Sequence, residues 1–280
     1  MIRVIWVWLF VCLLFPVPAF ASKRVAILSP KQTDQSIEVL TELESLLSSK
    51  TEVLDRSLSD LTFRSRGFDS PFNLTTEQSK NYGLVAGCNY FILIGSDTLR
   101  RTSFERERYF ESYLTVFIVS SRTGRLVFWK LKKFEEDTAE ISRKKLFDSI
   151  PEFAGKMLNA VETADELELA EVESYIEELP RADAARTNGF RPPMPYRRLR
   201  PQYTKIAGLY DVAATVDILV DVDAKGNVIK TDIIRWAGFG LDKAVTETVR
   251  RMNWRPAERD GKPLSMRVLL RYNFKNLESE

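Results

Sequence analysis

The 280-residue sequence contains no histidine. That absence removes the Ser-His-Asp and Cys-His nucleophile arrangements and every metal site built on imidazole. It also removes the side chain best suited to proton transfer near neutral pH. Cysteine is almost as scarce, with Cys12 inside an apolar N-terminal run and Cys88 alone in the rest of the chain. Beyond that run no intramolecular disulfide can form, so stability must come from burying apolar surface. Cys88 precedes the run Tyr90-Phe91-Ile92-Leu93-Ile94 and reads as a buried small hydrophobe rather than a reactive thiol. There is no P-loop and no GxGxxG; Asp217, Asp221 and Asp223 alternate without the Gly and Glu spacing of a calcium loop. No pair of carboxylates stands out from a solvated surface. The chain therefore reads as non-enzymatic, with no cofactor, no metal and no small-molecule substrate. A formal net charge of +2 argues against bulk nucleic-acid binding.

Long apolar stretches are also rare. The first runs for twelve residues from Val4 to Phe15, breaks at Pro16 and Pro18, and reaches Ala19-Phe20-Ala21 before Lys23-Arg24. A membrane span needs roughly 20 apolar residues, whereas a basic start, a short apolar middle and an Ala-x-Ala end make a secretory signal peptide. Residues 1–21 are read as that signal, cleaved after Ala21 with Ala19 as the other small residue of the cleavage site. An uncleaved anchor is the alternative. Cys12 follows Phe10-Val11 rather than a small residue, which argues against lipidation.

Charge divides the rest of the chain. From Thr163 to Pro180 there are seven acids and no base, and between Arg181 and Arg200 there are six arginines against Asp183 alone, interleaved with Pro192, Pro193 and Pro195. The pattern predicts a first domain over 22–162, an acidic helix over 163–180, a Pro/Arg-rich linker over 181–200 and a second domain over 201–280, with the two halves folding independently. In the first domain, Arg24 to Ser29 reads as a strand. Ile37, Leu40, Leu43, Leu46 and Leu47 recur at helical spacing, Glu52 to Leu54 offers a second strand, Thr75 opens a helix that stops before Gly87, and Tyr90 to Gly95 is a third strand. Two β-rich runs, Tyr109 to Ser121 and Leu126 to Phe134, flank the turn Arg122-Thr123-Gly124-Arg125. Ile141, Phe147, Ile150, Phe153, Met157 and Val161 predict one closing helix. These are βαβ units plus a hairpin, an α/β sandwich on a mixed sheet.

In the second domain Val212, Ala214, Val216, Ile218, Val220 and Val222 alternate with Asp211, Thr215, Asp217 and Asp221, which predicts one buried face and one wet face. Asp223 to Gly226 supplies a hairpin turn, and Val228 to Trp236 returns as the partner strand. Leu241, Ala244, Val245, Thr248, Val249 and Met252 share a helical stripe, and Leu264, Met266, Val268, Leu270, Tyr272 and Phe274 alternate along a last strand. The order is ββαβ after a short helix near Gln202 to Ala207. The fold class is α+β.

Two resemblances attach to these residues. The first strand, Val53-Leu54-Asp55-Arg56-Ser57, the helix before Gly87 with the strand from Asn89 to Ser96, and the Thr123-Gly124 turn together resemble the TolB N-terminal domains and the CsgG and LpoB periplasmic domains. The second half resembles the TonB C-terminal domain through Pro201-Gln202-Tyr203, Ala207-Gly208, Asp223 to Gly226, Leu241-Asp242, Arg250-Arg251, Trp254-Arg255-Pro256-Ala257 and Asp260-Gly261-Lys262-Pro263. That family implies that the final strand lies at a sheet edge and accepts a strand from an outer-membrane receptor. The corresponding residues are Met266, Arg267, Val268, Leu269, Leu270, Arg271 and Tyr272. Unpaired N–H and C=O groups make such an edge a template for strand addition; the alternative is that Arg267 and Arg271 only discourage aggregation.

These expectations describe a periplasmic adaptor or assembly factor that binds other envelope proteins, an outer-membrane receptor or assembly complex among them. Peptidoglycan is a further candidate ligand. A membrane-anchored TonB-type energy transducer and a regulator of peptidoglycan or outer-membrane assembly are the alternatives. A transducer needs a long proline-rich rod, whereas a linker of about 20 residues at about 3.1 Å each reaches about 60 Å.

Overall fold

A computed structural model describes residues 22–170, 176–178 and 189–275. The signal-peptide reading, with Ala19 and Ala21, lies outside these residues. So do 171–175 and 179–188, which hold parts of the expected acidic helix and linker. Among the described residues no helix is long and apolar enough to cross a membrane.

The first half begins with β1 (Arg24–Leu28), α1 (Asp34–Leu47), β2 (Glu52–Val53), α2 (Arg56–Arg64) and α3 (Thr76–Ala86). It continues with β3 (Tyr90–Arg101), β4 (Tyr109–Ser120), β5 (Leu126–Glu136), α4 (Ala139–Asp148) and α5 (Ile150–Ala170). Five strands form one mixed sheet in the order β2-β1-β3-β4-β5, parallel from β2 to β3 and antiparallel from β3 to β5. Local chemistry explains the helix starts. Thr33 and Thr75 each cap a helix: the side-chain oxygen accepts the N–H of the third helical residue, Ser36 or Gln78, and the threonine's own N–H donates back to that residue's side-chain oxygen.

The sequence reading has no counterpart of α2, which Asp55 caps by accepting the Leu58 N–H and from which Arg56 reaches back to Glu44. Two readings change here. The expected closing helix is two helices, because the cap of α4 at Ser149 interrupts the run before α5. Ile141 is 46% exposed; α4 buries Ser142 and Leu146 instead, with the Ser142 hydroxyl donating to the Phe134 carbonyl. The acidic stretch also has no separate start, since α5 continues through it to Ala170. Its Asp165 pairs with Lys23, and its Glu168 with Arg122.

The second half contains β6 (Phe190–Arg191), β7 (Met194–Pro195), α6 (Lys205–Leu209), β8 (Ala214–Val222), β9 (Val228–Arg235) and α7 (Leu241–Arg250). It ends with β10 (Trp254–Arg255), β11 (Ala257–Arg259), β12 (Lys262–Leu264) and β13 (Met266–Phe274). The main sheet runs β13-β8-β9, all antiparallel. Asp260 and Gly261, at φ of 51° and 77°, turn β11 into β12, and this two-residue connection matches the twist of the flanking strands. Residues inside the expected linker are paired rather than spanning: β6 joins β11, and β7 joins β10. Composition marked that stretch as a connector, but Phe190 to Pro195 supply backbone groups that the second half uses. The short helix sits at Lys205–Leu209, later than expected, because Thr204 is its cap.

Alternation in β3 and β4 sends side chains to both faces of the first sheet, which is why these strands read as continuous apolar runs. Tyr90, Ile92 and Ile94 join α1, α4 and α5 in one cluster. Phe91, Leu93, Phe117 and Val119 point the other way and join a second cluster. That cluster runs without a break into Val216, Ile218, Val220, Trp236, Phe239, Leu241 and Val245 of the second half. The Phe117 ring lies 5.7 Å from Trp236 and 6.1 Å from Phe239, centroid to centroid. At this seam Gly238 has a φ of +69°, and a Cβ there would stand 2.6 Å from both the Phe117 and Trp129 rings. Only glycine meets both conditions.

Candidate docking edge

β13 is an outer strand of its sheet, and β8 is the central one. Met266, Leu270, Tyr272 and Phe274 are buried and Val268 half-buried, while Leu269 on the opposite face is 47% exposed. The alternation expected from sequence is therefore present in the strand.

The other face of β8 is not wet. The Asp217 and Asp221 side chains are only 4% and 2% exposed. The register places Asp221 opposite Arg267 and Asp217 opposite Arg271. Arg267 Nε and Nη2 donate to the two Asp221 oxygens at 2.6 and 2.9 Å, and Arg271 does the same to Asp217 at 2.7 and 3.0 Å. Arg235 of β9 adds a third donor to Asp217 at 3.1 Å. Burial alone would raise the Asp217 pKa, but the bonds from Arg271 and Arg235 outweigh it and hold the carboxyl below the ordinary range. Paired guanidinium forks let two carboxylates lie buried on a face that alternation alone assigned to solvent. A signal for this existed in the sequence: both strands carry charges four residues apart with opposite sign, the spacing an antiparallel pair can match. Arg267 and Arg271 are thus committed to β8 through their side chains, and their main chain is what faces outward.

The direction of that main chain follows from one bond. The Arg267 N–H donates to the Glu177 carbonyl at 2.9 Å, on the side of β13 away from β8. Backbone polar groups alternate with period two, so Leu269 and Arg271 also present their N–H and C=O outward, while Val268, Leu270 and Tyr272 face β8. At Arg271 the outward carbonyl accepts from Arg198 Nη2 at 2.5 Å, and that guanidinium lies 5.0 Å from the Tyr272 ring centre. Leu269, between these two points, has no outward backbone partner among the described residues. Neither the Glu177 contact nor the Arg198 contact carries a periodic sequence signal. Only the opposite signs of the acidic and basic stretches hinted at an attraction.

The β8–β9 turn and the first turn of α7 fall on residues that carry the TonB-type resemblance. Asp223 accepts from the Lys225 and Asn227 N–H groups in the β8–β9 turn, and Asp242 accepts from those of Ala237 and Gly238 at the start of α7. Residues 200–276 match the family described as Gram-negative bacterial TonB protein C-terminal. This TonB-type segment contains the whole of β13. No curated protein matches the chain by sequence. Among solved structures, the TonB C-terminal domain of Pseudomonas aeruginosa is 17% identical with a TM-score of 0.28, covering 37% of this chain and 97% of its own. Lipoprotein GNA1162 of Neisseria meningitidis is 11% identical at a TM-score of 0.33, covering 48% of this chain and 99% of its own. The LpoB C-terminal domain of Escherichia coli is 11% identical at 0.28, covering 41% and 83%. TM-scores this low carry no function across.

Elsewhere the surface offers less chemistry. Among the described residues no group of His, Cys, Asp or Glu could hold a metal ion. Cys88 is buried, and that burial pushes its thiol pKa up, away from reactivity. An apolar groove of about 980 Å³ runs between β5 and the end of α5, lined by Val127, Phe128, Ala160, Ala164 and Leu167 among others.

Proposed function

We propose that the protein is a non-enzymatic adaptor of the cell envelope, exported to the periplasm, whose TonB-type segment docks a partner protein by adding a strand to β13. The observation that carries this reading is the outer edge of β13, where Leu269 presents an unengaged N–H and C=O among the described residues. Main-chain pairing at such an edge supplies affinity while tolerating side-chain change. The family match supports an envelope setting for the second half. The partner in this reading is another envelope protein, an outer-membrane receptor or an assembly complex, and the first half presents a second surface that keeps two partners close.

The test uses the parity of the strand. Leu269→Pro removes one outward N–H without touching the ladder to β8, so the variant folds, whereas proline at Val268 or Leu270 removes a bond to β8. Capture of envelope proteins by the parent, by Leu269→Pro and by Leu269→Ala is compared, with circular dichroism as the folding control. Leu269→Pro should lose at least about tenfold in binding and Leu269→Ala should lose little. If the folded proline variant captures the same proteins as the parent, β13 is not the docking site.

A further inference from the structure

The outer edge of β13 is already in use at one point, and the user is the chain itself. Glu178 bridges Arg267 in the parallel sense, and the Glu177 carbonyl accepts the Arg267 N–H at 2.9 Å. Two ion pairs flank this contact: Glu177 with Arg259 at 2.5 Å and Glu178 with Arg267 at 3.8 Å. We infer that Ile176 to Glu178 is an in-chain stand-in for the docked partner, and that the partner is an extended acidic segment which pairs parallel to β13 and displaces it. This rests on the docking reading of β13 and adds the partner's chemistry and a regulatory step.

Charge complementarity favours this occupant. The Arg267 guanidinium is spent on Asp221 inside the sheet, yet its remaining Nη1 still faces Glu178, and the Arg259 side chain is half exposed. Consecutive acids placed beside the edge therefore meet two guanidinium groups, whereas a basic strand would meet repulsion. Among the described residues the stand-in holds little: one backbone bond, which belongs to the Glu178–Arg267 bridge, and two ion pairs, each worth less than about 1 kcal/mol at the surface. Its advantage is tethering, which gives an effective concentration on the order of millimolar. A free partner that continues the pairing through Leu269 gains backbone bonds that Ile176 to Glu178 do not make. The Arg198 contact with the Arg271 carbonyl closes the far end of the same edge by one side chain.

Two measurements on the full chain separate this inference from the docking reading. Amide exchange by NMR reads the in-chain contact directly. The Arg267 N–H should exchange at least tenfold more slowly than the Leu269 N–H in the parent, and should lose that difference in the double variant Glu177→Lys, Glu178→Lys. Equal exchange at the two positions in the parent overturns the stand-in, whatever binds elsewhere. The second measurement is the affinity of a labelled synthetic peptide with the chain's own sequence from Ser174 to Leu179. It should bind the double variant at least tenfold more tightly than the parent, and a peptide with lysine at both glutamate positions should bind at least tenfold more weakly. Equal affinity for parent and double variant overturns the competition, and no binding to the double variant overturns the acidic-strand preference. Binding that survives Leu269→Pro in the double variant overturns the docking reading itself, while the exchange result stands on its own.

Discussion

The two edges of the small C-terminal sheet are closed in different ways. The β9 edge is sealed by the first half of the molecule. Thr75 bridges Arg235, Arg125 pairs with Asp232 at 2.7 Å, and the Asn73 side chain inserts beside the strand. Its amide donates to the Thr215 and Trp236 carbonyls at 2.8 and 2.6 Å and accepts the Thr215 N–H at 2.9 Å. Behind these contacts stands the shared apolar cluster around Phe117. Among the described residues the outer edge of β13 is met by Glu177, Glu178 and the Arg198 side chain. One edge is closed by core packing and cannot reopen without unfolding; the other is closed by a few polar contacts and can exchange. An exposed strand edge invites aggregation, and even the more open β13 edge is partly covered.

The largest expected effect is at the sealed edge. Gly238→Val places a branched Cβ against the Phe117 and Trp129 rings at a positive φ, and overpacking plus backbone strain should cost about 4 kcal/mol. Urea denaturation checks it, and retention of parental stability would mean that the seam is loosely packed. Next comes a pH effect at the loop after β9. Burial pushes the Asp242 carboxyl up to about 6, against the N–H bonds from Ala237 and Gly238 that favour its charge. A raised carboxyl pKa favours the folded state below the ordinary value near 4, and that advantage is lost as pH rises through 6. The cost of Asp242→Asn should therefore shrink from pH 4 to pH 7.5 by up to about 3 kcal/mol; a pH-independent difference would contradict the assignment. Asp217 runs the other way: its lowered pKa stabilises the fold above the ordinary carboxylate range and that contribution is lost as pH falls.

Asn73→Ala should cost about 2–3 kcal/mol, because it leaves the Thr215 N–H and two carbonyls without partners at a buried site. Faster amide exchange should then appear in β9 and not in β13, and an equal rise in both would show that the two edges are not independent. The smallest effect is at the open edge, where Leu269→Ala, on a half-exposed side chain, should change stability by less than about 0.5 kcal/mol.

Period and turn chemistry determined much of this molecule from sequence alone. Thr75 as a helix start, Gly87 as a helix stop, the hairpin turns, and the alternation that marks β8 and β13 are local. Each depends on neighbours within a few residues, and so was legible before any packing was known. The Leu241 to Arg250 helix, with Asp242 in its first turn holding the Ala237 and Gly238 N–H groups, belongs to the same class.

Three features were decided only by tertiary structure, each because the partner lies far along the chain. Asp217 and Asp221 alternate with valines as wet residues do, and only the register with β13 buries them under Arg271 and Arg267. Asn73 sits in an irregular stretch, and its role exists because β8 and β9 arrive beside it from about 140 residues away. Ile176 to Glu178 and Arg198 reach the β13 edge through pairings that have no periodicity of their own. Sequence pattern reports which side of a strand is apolar; which strand ends at an edge, and what covers that edge, depends on where distant segments return, and only the packed core determines that.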